Sequence, residues 1–372
     1  MKIISLLSNI NIKIKYFKQG LFNLFLKNPW KFNIRDNTVL LTELLPYHGE
    51  VLPGLVKYLL DLNYNVDIVL NKYQRNFISA NSGLFYCFKD NEKVRVKVLS
   101  VCNINILLRS SHVKKYKRVI INTFHDDYIK FHFYKIDFNK LIPICMIHNY
   151  NITNEYFMSN NIISLVKIEC LNRKPPIIVN SHYFGNFPKH DKSYTTTFII
   201  LNTTNLFRRN IYLLLNACEE LYKKGIYNFN IKIIGNGIII PEKYFKNFQI
   251  FGYMDFNEMY NEINNSDFIL AVIDQASVQY TNKASGTYQL CYGFNKPIIL
   301  HKKFSNIAGF NDQNSILYDD NDDLSDAMVK CINLSNTDYA NMVYLLGELS
   351  KNIYNESRNN LKSILENNKI NL

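Results

Sequence analysis

The chain has 372 residues and a formal net charge of +12, and its 47% apolar content is enough for roughly two globular cores. Its seven cysteines, Cys87, Cys102, Cys145, Cys170, Cys218, Cys291 and Cys331, stand singly with no CxxC pair, which excludes a disulfide framework or structural zinc and fits a reducing compartment. No apolar run reaches the ~18 residues that span a bilayer, no signal-peptide pattern opens the chain, and no nucleic-acid-binding motif accompanies the basic charge, so anionic substrates or lipid are the expected counterparts.

Residues 1–36 form a basic leader. Lys2, Lys13, Lys15, Lys18, Lys27, Lys31 and Arg35 precede the first acid, Asp36. Phe17, Leu21, Phe22, Leu24, Phe25 and Trp30 add apolar residues at partly helical spacing. The segment suits an anionic membrane surface; the alternative is a helix packed on the first domain with its lysines solvated. A buried strand is expected at 38–43, a loop at 44–50, a helix at 51–62 and a strand at 65–70. This βαβ opening puts the loop at the carboxyl end of its first strand, where open α/β sheets bind ligands. GxGxxG is absent, so no dinucleotide is expected. His48 lies in that loop. Its imidazole titrates near neutrality and suits proton abstraction from a hydroxyl, with Glu50 placed to orient it. The alternative is structural, with Gly49 turning the chain and Glu50 complementing a helix dipole. Further strands are expected at 94–99, 119–122, 144–147, 162–166 and 175–180. The fifth strand of the half, 144–147, ends in His148-Asn149. Residues 181–194 read as a linker.

The second half opens with a strand at 198–201 and a loop at 202–210. Arg208 and Arg209 stand side by side before the helix 211–224, where two cations oppose the helix dipole and favour a bound anion. A strand at 229–234 ends in Gly235-Asn236-Gly237. A strand and turn at 249–254 and a helix at 257–264 follow. Then comes a unit over 266–300: a strand at 268–273, a polar loop ending Ala284-Ser285-Gly286-Thr287, a helix through Phe294, a stop at Asn295-Lys296-Pro297, and a strand at 298–300. Helix N-termini expose unpaired N–H groups and suit phosphate, and Gly286 permits close approach. The alternative is that Ser285 only caps the helix. Asp320-Asn321-Asp322 spells a metal-binding DxD, but its place before the helix 324–334 makes it a cap. Residues 338–372 form an amphipathic helix.

The order of segments from 198 to 300 resembles the nucleotide-sugar-binding half of the "group 1" GT-B glycosyltransferases. Their Gly-x-Pro-Val-Ile turn is similar to Gly293-Phe294-Asn295-Lys296-Pro297-Ile298-Ile299 here. The resemblance implies an α/β, GT-B architecture of two Rossmann-like domains facing a cleft: an acceptor domain over 37–185, a nucleotide-sugar domain over 197–335, and a helical segment over 336–372 that crosses back. It implies a donor site of Arg208, Arg209, Gly235, Ser285, Gly286, Thr287 and Gln289, with Thr204 replacing the usual arginine. His48, Glu50 and His148 become the catalytic candidates, His148 facing the donor sugar. The family's paired glutamates are absent; Asn282 or Lys283 and Gln289 or Leu290 stand near their places, so retaining chemistry does not follow. The expected activity is metal-independent, hexosyltransferase-type transfer from a nucleotide-sugar to a cell-surface glycan or lipid-linked acceptor. The donor is a substrate and no cofactor is expected. The expected location is cytoplasmic, peripheral at the inner membrane face. The rivals are a catalytically silent GT-B partner protein and a sugar-nucleotide epimerase.

Overall fold

The computed structural model describes residues 32–45, 48–72, 84–124, 126–133, 135–148, 161–167, 175–201, 210–235, 240–244, 246–252, 254–277 and 285–366. Most of the basic leader, residues 1–31, therefore lies outside the described residues.

The first half builds strands β1 (Thr38–Glu43), β2 (Asn65–Asn71), β3 (Val94–Leu99), β4 (Arg118–Ile121), β5 (Ile144–Ile147), β6 (Ile162–Ser164) and β7 (Ile177–Ile178). Helices α1 (Leu52–Asp61), α2 (Val101–Arg109), α3 (Asp126–His132) and α4 (Phe138–Leu141) alternate with them. The second half builds β8 (Thr196–Leu201), β9 (Phe229–Ile234), β10 (Phe248–Phe251), β11 (Phe268–Leu270), β12 (Ile298–His301) and β13 (Ile316–Tyr318). Its helices are α5 (Ile211–Lys223), α6 (Phe256–Asn264), α7 (Gly286–Phe294), α8 (Leu324–Asn333) and α9 (Asn336–Glu366).

There are two separate sheets, not one continuous sheet. Their orders are β3-β2-β1-β4-β5-β6-β7 and β10-β9-β8-β11-β12-β13, and the described pairings are all parallel. A parallel sheet is covered on both faces, so its central strands are buried along their whole length. All six residues of β1 and of β8 are buried. Val39 and Leu41 join one core while Leu40 joins the other. Phe198 and Ile200 likewise part from Ile199 and Leu201. Each sheet reverses its strand order once, between β1 and β4 and between β8 and β11. The loops at those reversals diverge and leave a crevice.

Two segments join the halves. The connection before β8 is held by the buried Asp267, whose carboxylate accepts from Ser193 N–H at 2.8 Å and Thr197 N–H at 2.7 Å. Helix α9 spans 31 residues, about 46 Å at the helical rise. Tyr339 and Met342 sit in a core of the second half, Leu346 in its other core, and Leu361, Ile364 and Leu365 in a core of the first. The helix thus crosses back to the first half.

Residues 181–184 run between two glycines. A Cβ on Gly54 of α1 would collide with Ser181 Oγ, and one on Gly293 of α7 with the His182 carbonyl and the Phe184 ring. Backbone cannot yield as a flexible side chain does. Gly293→Ala is therefore expected to cost about 1–3 kcal/mol by overpacking, read as a lowered Tm in thermal denaturation. Gly286→Ala is the control, since a Cβ there meets nothing within 4 Å; equal melting of the two variants would refute the packing argument.

Candidate functional site

The first site forms where β1, β4 and β5 end. After β1 the chain turns through His48, which takes the left-handed conformation (φ 69°, ψ 19°), into the short helical turn Gly49–Val51. A non-glycine residue there is uncommon and marks a constrained loop. Asn122, just past β4, fixes it by donating from Nδ2 to the His48 carbonyl at 2.8 Å. His48 Nδ1 lies 3.3 Å from Glu50 Oε1. His148, just past β5, stacks on His48 with ring centroids 4.6 Å apart and planes 16° from parallel. The structure thus brings together all three catalytic candidates of the sequence, which lie 100 positions apart at the extremes.

Their charges are coupled. Burial pushes the Glu50 carboxyl up, but the hydrogen bond and charge of His48, with the charge of His148, hold it below its ordinary value. A carboxylate accepts only, so a neutral His48 donates from Nδ1–H and keeps its lone pair on Nε2. Tyr260, on α6 of the second half, is buried, and burial raises its phenol, as does the charge of Glu50.

Sequence reasoning missed Glu43, the last residue of β1. Its carboxyl is fully buried and accepts from Leu45 N–H at 2.9 Å, Asn122 Nδ2 at 2.5 Å and Thr123 Oγ1 at 2.8 Å. An acid closing a strand expected to be buried was the available signal.

The second site forms where β8, β9 and β11 end. Strand β11 stops earlier than the apolar run suggests because Val272 turns into positive φ (47°). Its carbonyl accepts from Asn210 N–H at 2.9 Å. Asn210 also caps α5, accepting from Leu213 N–H, and donates to Asp274 at 2.6 Å. These bonds tie the start of α5 to the segment that follows β11. Gly235 closes β9 at φ 145°, a conformation that favours glycine.

Helix α7 opens this site. Ser285 occupies the N-cap place, but its side chain makes no capping hydrogen bond, so the capping alternative fails. The space over Gly286 is open. One turn on, Gln289 is 1% exposed and neither of its amide atoms has a hydrogen-bond partner among the described residues. Buried polar groups are normally paired. Ser285 and Thr287 are also buried. Arg208 and Arg209 lie outside the described residues. Asn295 ends α7 in the left-handed conformation, in keeping with the stop at Asn295-Lys296-Pro297 read from the sequence. Asp320 donates its N–H to Asp323 Oδ2 at 3.0 Å, the cap expected of the DxD-like stretch.

No protein-family model and no curated protein matches the chain. Solved structures do. A mutant of S. aureus TarM in complex with fondaparinux, α-GlcNAc-glycerol and UDP aligns with a TM-score of 0.59 at 9% identity, over 89% of this chain and 100% of that one. Anabaena HepE in complex with UDP and glucose gives 0.50 at 11% identity, over 88% and 99%. An E. coli structure described as trehalose-6-phosphate bound with UDP-2-fluoro glucose gives 0.50 at 9% identity, over 88% and 99%. At such identities the likeness is one of fold. Two parallel sheets of seven and six strands, each reversing once, with a C-terminal helix crossing between them, give this chain the GT-B fold.

Proposed function

We propose that the chain is a glycosyltransferase that moves a sugar from a nucleotide-sugar to a glycan or lipid-linked acceptor. The observation that carries this reading is the pair of sites, each at the strand-order reversal of its own sheet. One holds a histidine–carboxylate pair; the other holds an open helix N-terminus with an unpartnered buried amide.

In this reading His48 is the general base and Glu50 orients it. The acceptor oxygen attacks the anomeric carbon and its proton passes to His48 Nε2. The bond from that carbon to the diphosphate oxygen breaks, and its electron pair leaves with the nucleoside diphosphate. Attack opposite the leaving group inverts the anomeric centre. His148 packs against the base and faces the sugar. Negative charge grows on the diphosphate, so the N–H groups at the start of α7, Ser285, Thr287 and Gln289, the Gly235 turn, and Arg208 with Arg209 are the groups assigned to receive it. That donor set supplies the charge stabilisation a metal would otherwise provide, and the sugar transferred is assigned as a hexose. Binding of UDP-, GDP-, ADP- and CMP-sugars by thermal shift, then transfer to lipid extracts with NMR of the product anomer, tests this. One donor that binds and gives an inverted product is expected; no binding by any of them defeats it.

The neutral or cationic residues near the expected glutamate positions, Asn282, Lys283, Gln289 and Leu290, favour a second reading, a silent partner protein. That reading requires tight nucleotide binding without transfer or hydrolysis.

Lipid-linked acceptors sit at membranes, and no described helix is long and apolar enough to cross one. The basic leader is assigned to the anionic inner face, which makes the protein peripheral and cytoplasmic. Juxtamembrane cations contribute about 1 kcal/mol each at an anionic surface. Deleting residues 1–36 is expected to cut binding to phosphatidylserine vesicles by roughly 100-fold or more at low salt. Salt should weaken binding of the full chain. Unchanged sedimentation with vesicles after deletion would make the leader structural only.

A further inference from the structure

Glu43 is linked to both histidines through its side-chain donors. Each of its side-chain donors reaches onward to one of them. Asn122 Nδ2 is shared between Glu43 Oε2 and the His48 carbonyl. Thr123 Oγ1 lies between Glu43 Oε2 at 2.8 Å and His148 Nε2 at 3.3 Å. Asn122 is fully buried and Thr123 nearly so. The Asn122 backbone carbonyl stands 3.2 Å from the same His148 Nε2.

We propose that Glu43 is a positioning residue for the histidine pair, holding the His48 loop through Asn122 and setting the hydrogen bonding of His148 through Thr123. The proposal deepens the reading of His48 as base and rests on it only for the effect on rate.

Proton counting gives the consequence. A threonine hydroxyl has one proton to donate. While Glu43 is ionised, Thr123 gives that proton to Oε2 and offers His148 only a lone pair. The backbone carbonyl also only accepts, so both of these partners call for an N–H on His148 Nε2. When Glu43 takes up a proton, its O–H donates to Thr123 Oγ1 and the Thr123 proton turns towards His148. Burial pushes the Glu43 carboxyl up to about 8, against its hydrogen bonds from Asn122, Leu45 and Thr123 and the charge of His48. The reversal therefore falls close to neutral pH. The titratable groups around the network are His48 on the loop after β1, Glu50 on the turn that follows, and His148 after β5.

The test is ring ¹⁵N chemical shifts of the histidines in the full chain from pH 6 to 10. His148 is expected to show, besides its own titration, an inflection near pH 8 that disappears in Glu43→Gln. Should Glu43→Gln fail to fold, Thr123→Val cuts the same branch: the inflection is lost from His148 while the His48 resonances stay. Wild-type His148 without that inflection, or variants that keep it, would overturn the proposal. In transfer assays Glu43→Gln should lower kcat at unchanged KM for the donor. Altered ring shifts in a protein that transfers no sugar would keep the role of Glu43 and reject the transferase reading; transfer with unaltered ring shifts would do the reverse.

Discussion

Gly286→Val is expected to abolish nucleotide binding and leave the protein folded. A Cβ at Gly286 meets no heavy atom within 4 Å, and Gly286 is not among the positive-φ glycines. The Cβ of the new side chain therefore has room in the unliganded protein. Its cost is the weak helix propensity of a β-branched residue, below about 1 kcal/mol. The space it takes is the space over the first N–H groups of α7, where an anion must approach. Two charge-assisted hydrogen bonds lost at about 1.5–3 kcal/mol each correspond to a fall in affinity of roughly 100-fold or more. Ser285 makes no capping hydrogen bond, and Gln289 has no partner for its buried amide among the described residues. Arg209→Ala should weaken the same ligand through loss of a charge-assisted contact. Calorimetric titration with the nucleotide-sugar that stabilises the wild type gives the answer. A Gly286→Val protein with an unchanged melt and wild-type affinity ends the assignment of α7 as the diphosphate site.

Strands were legible in the sequence wherever a run of buried residues met a clear stop. The expected strands at 38–43, 94–99, 144–147 and 229–234 coincide with β1, β3, β5 and β9. Other ends moved by a few residues where tertiary bonds decide: the run at 268–273 is cut at Leu270 because the Val272 carbonyl turns to meet Asn210. Helix α2 was passed over because Val101–Arg109 mixes asparagines into a short apolar run. Its cap, Ser100 accepting from Asn103 N–H, was there to be read. Strand β13 has three residues, too few for any period to show. The site was half legible. His48 and His148 each stood out as a histidine after a strand, but their stacking follows from β1, β4 and β5 being neighbours in the sheet. Glu43 was invisible as a hub because its side-chain donors, Asn122 and Thr123, lie 79 and 80 positions away. Local pattern cannot report a bond of that span.

His48→Ala carries the second large effect: kcat should fall roughly 10²–10⁴-fold, the usual contribution of a general base, while nucleotide affinity holds. The backbone complicates the substitution. His48 sits at φ 69°, and a residue with a plain Cβ pays about 1–2 kcal/mol there. Asparagine tolerates that conformation better, so His48→Asn keeps the loop while removing the base. Glu50→Gln tests the orienting bond separately, since an amide can rotate to donate and no longer fixes Nδ1–H. The sign of its pH dependence follows from the depressed Glu50 carboxyl. A group whose folded pKa lies below its unfolded value adds stability above the unfolded pKa and loses it as pH falls through the folded one. The Glu50–His48 pair therefore persists through neutral pH and fails only in acid, and Glu50→Gln should melt lower than wild type at pH 7 but match it in acid. Transfer rates and product anomers for His48→Asn decide the mechanism. A folded His48→Asn protein with near-wild-type kcat, or a product with retained anomeric configuration, removes His48 from the role of base.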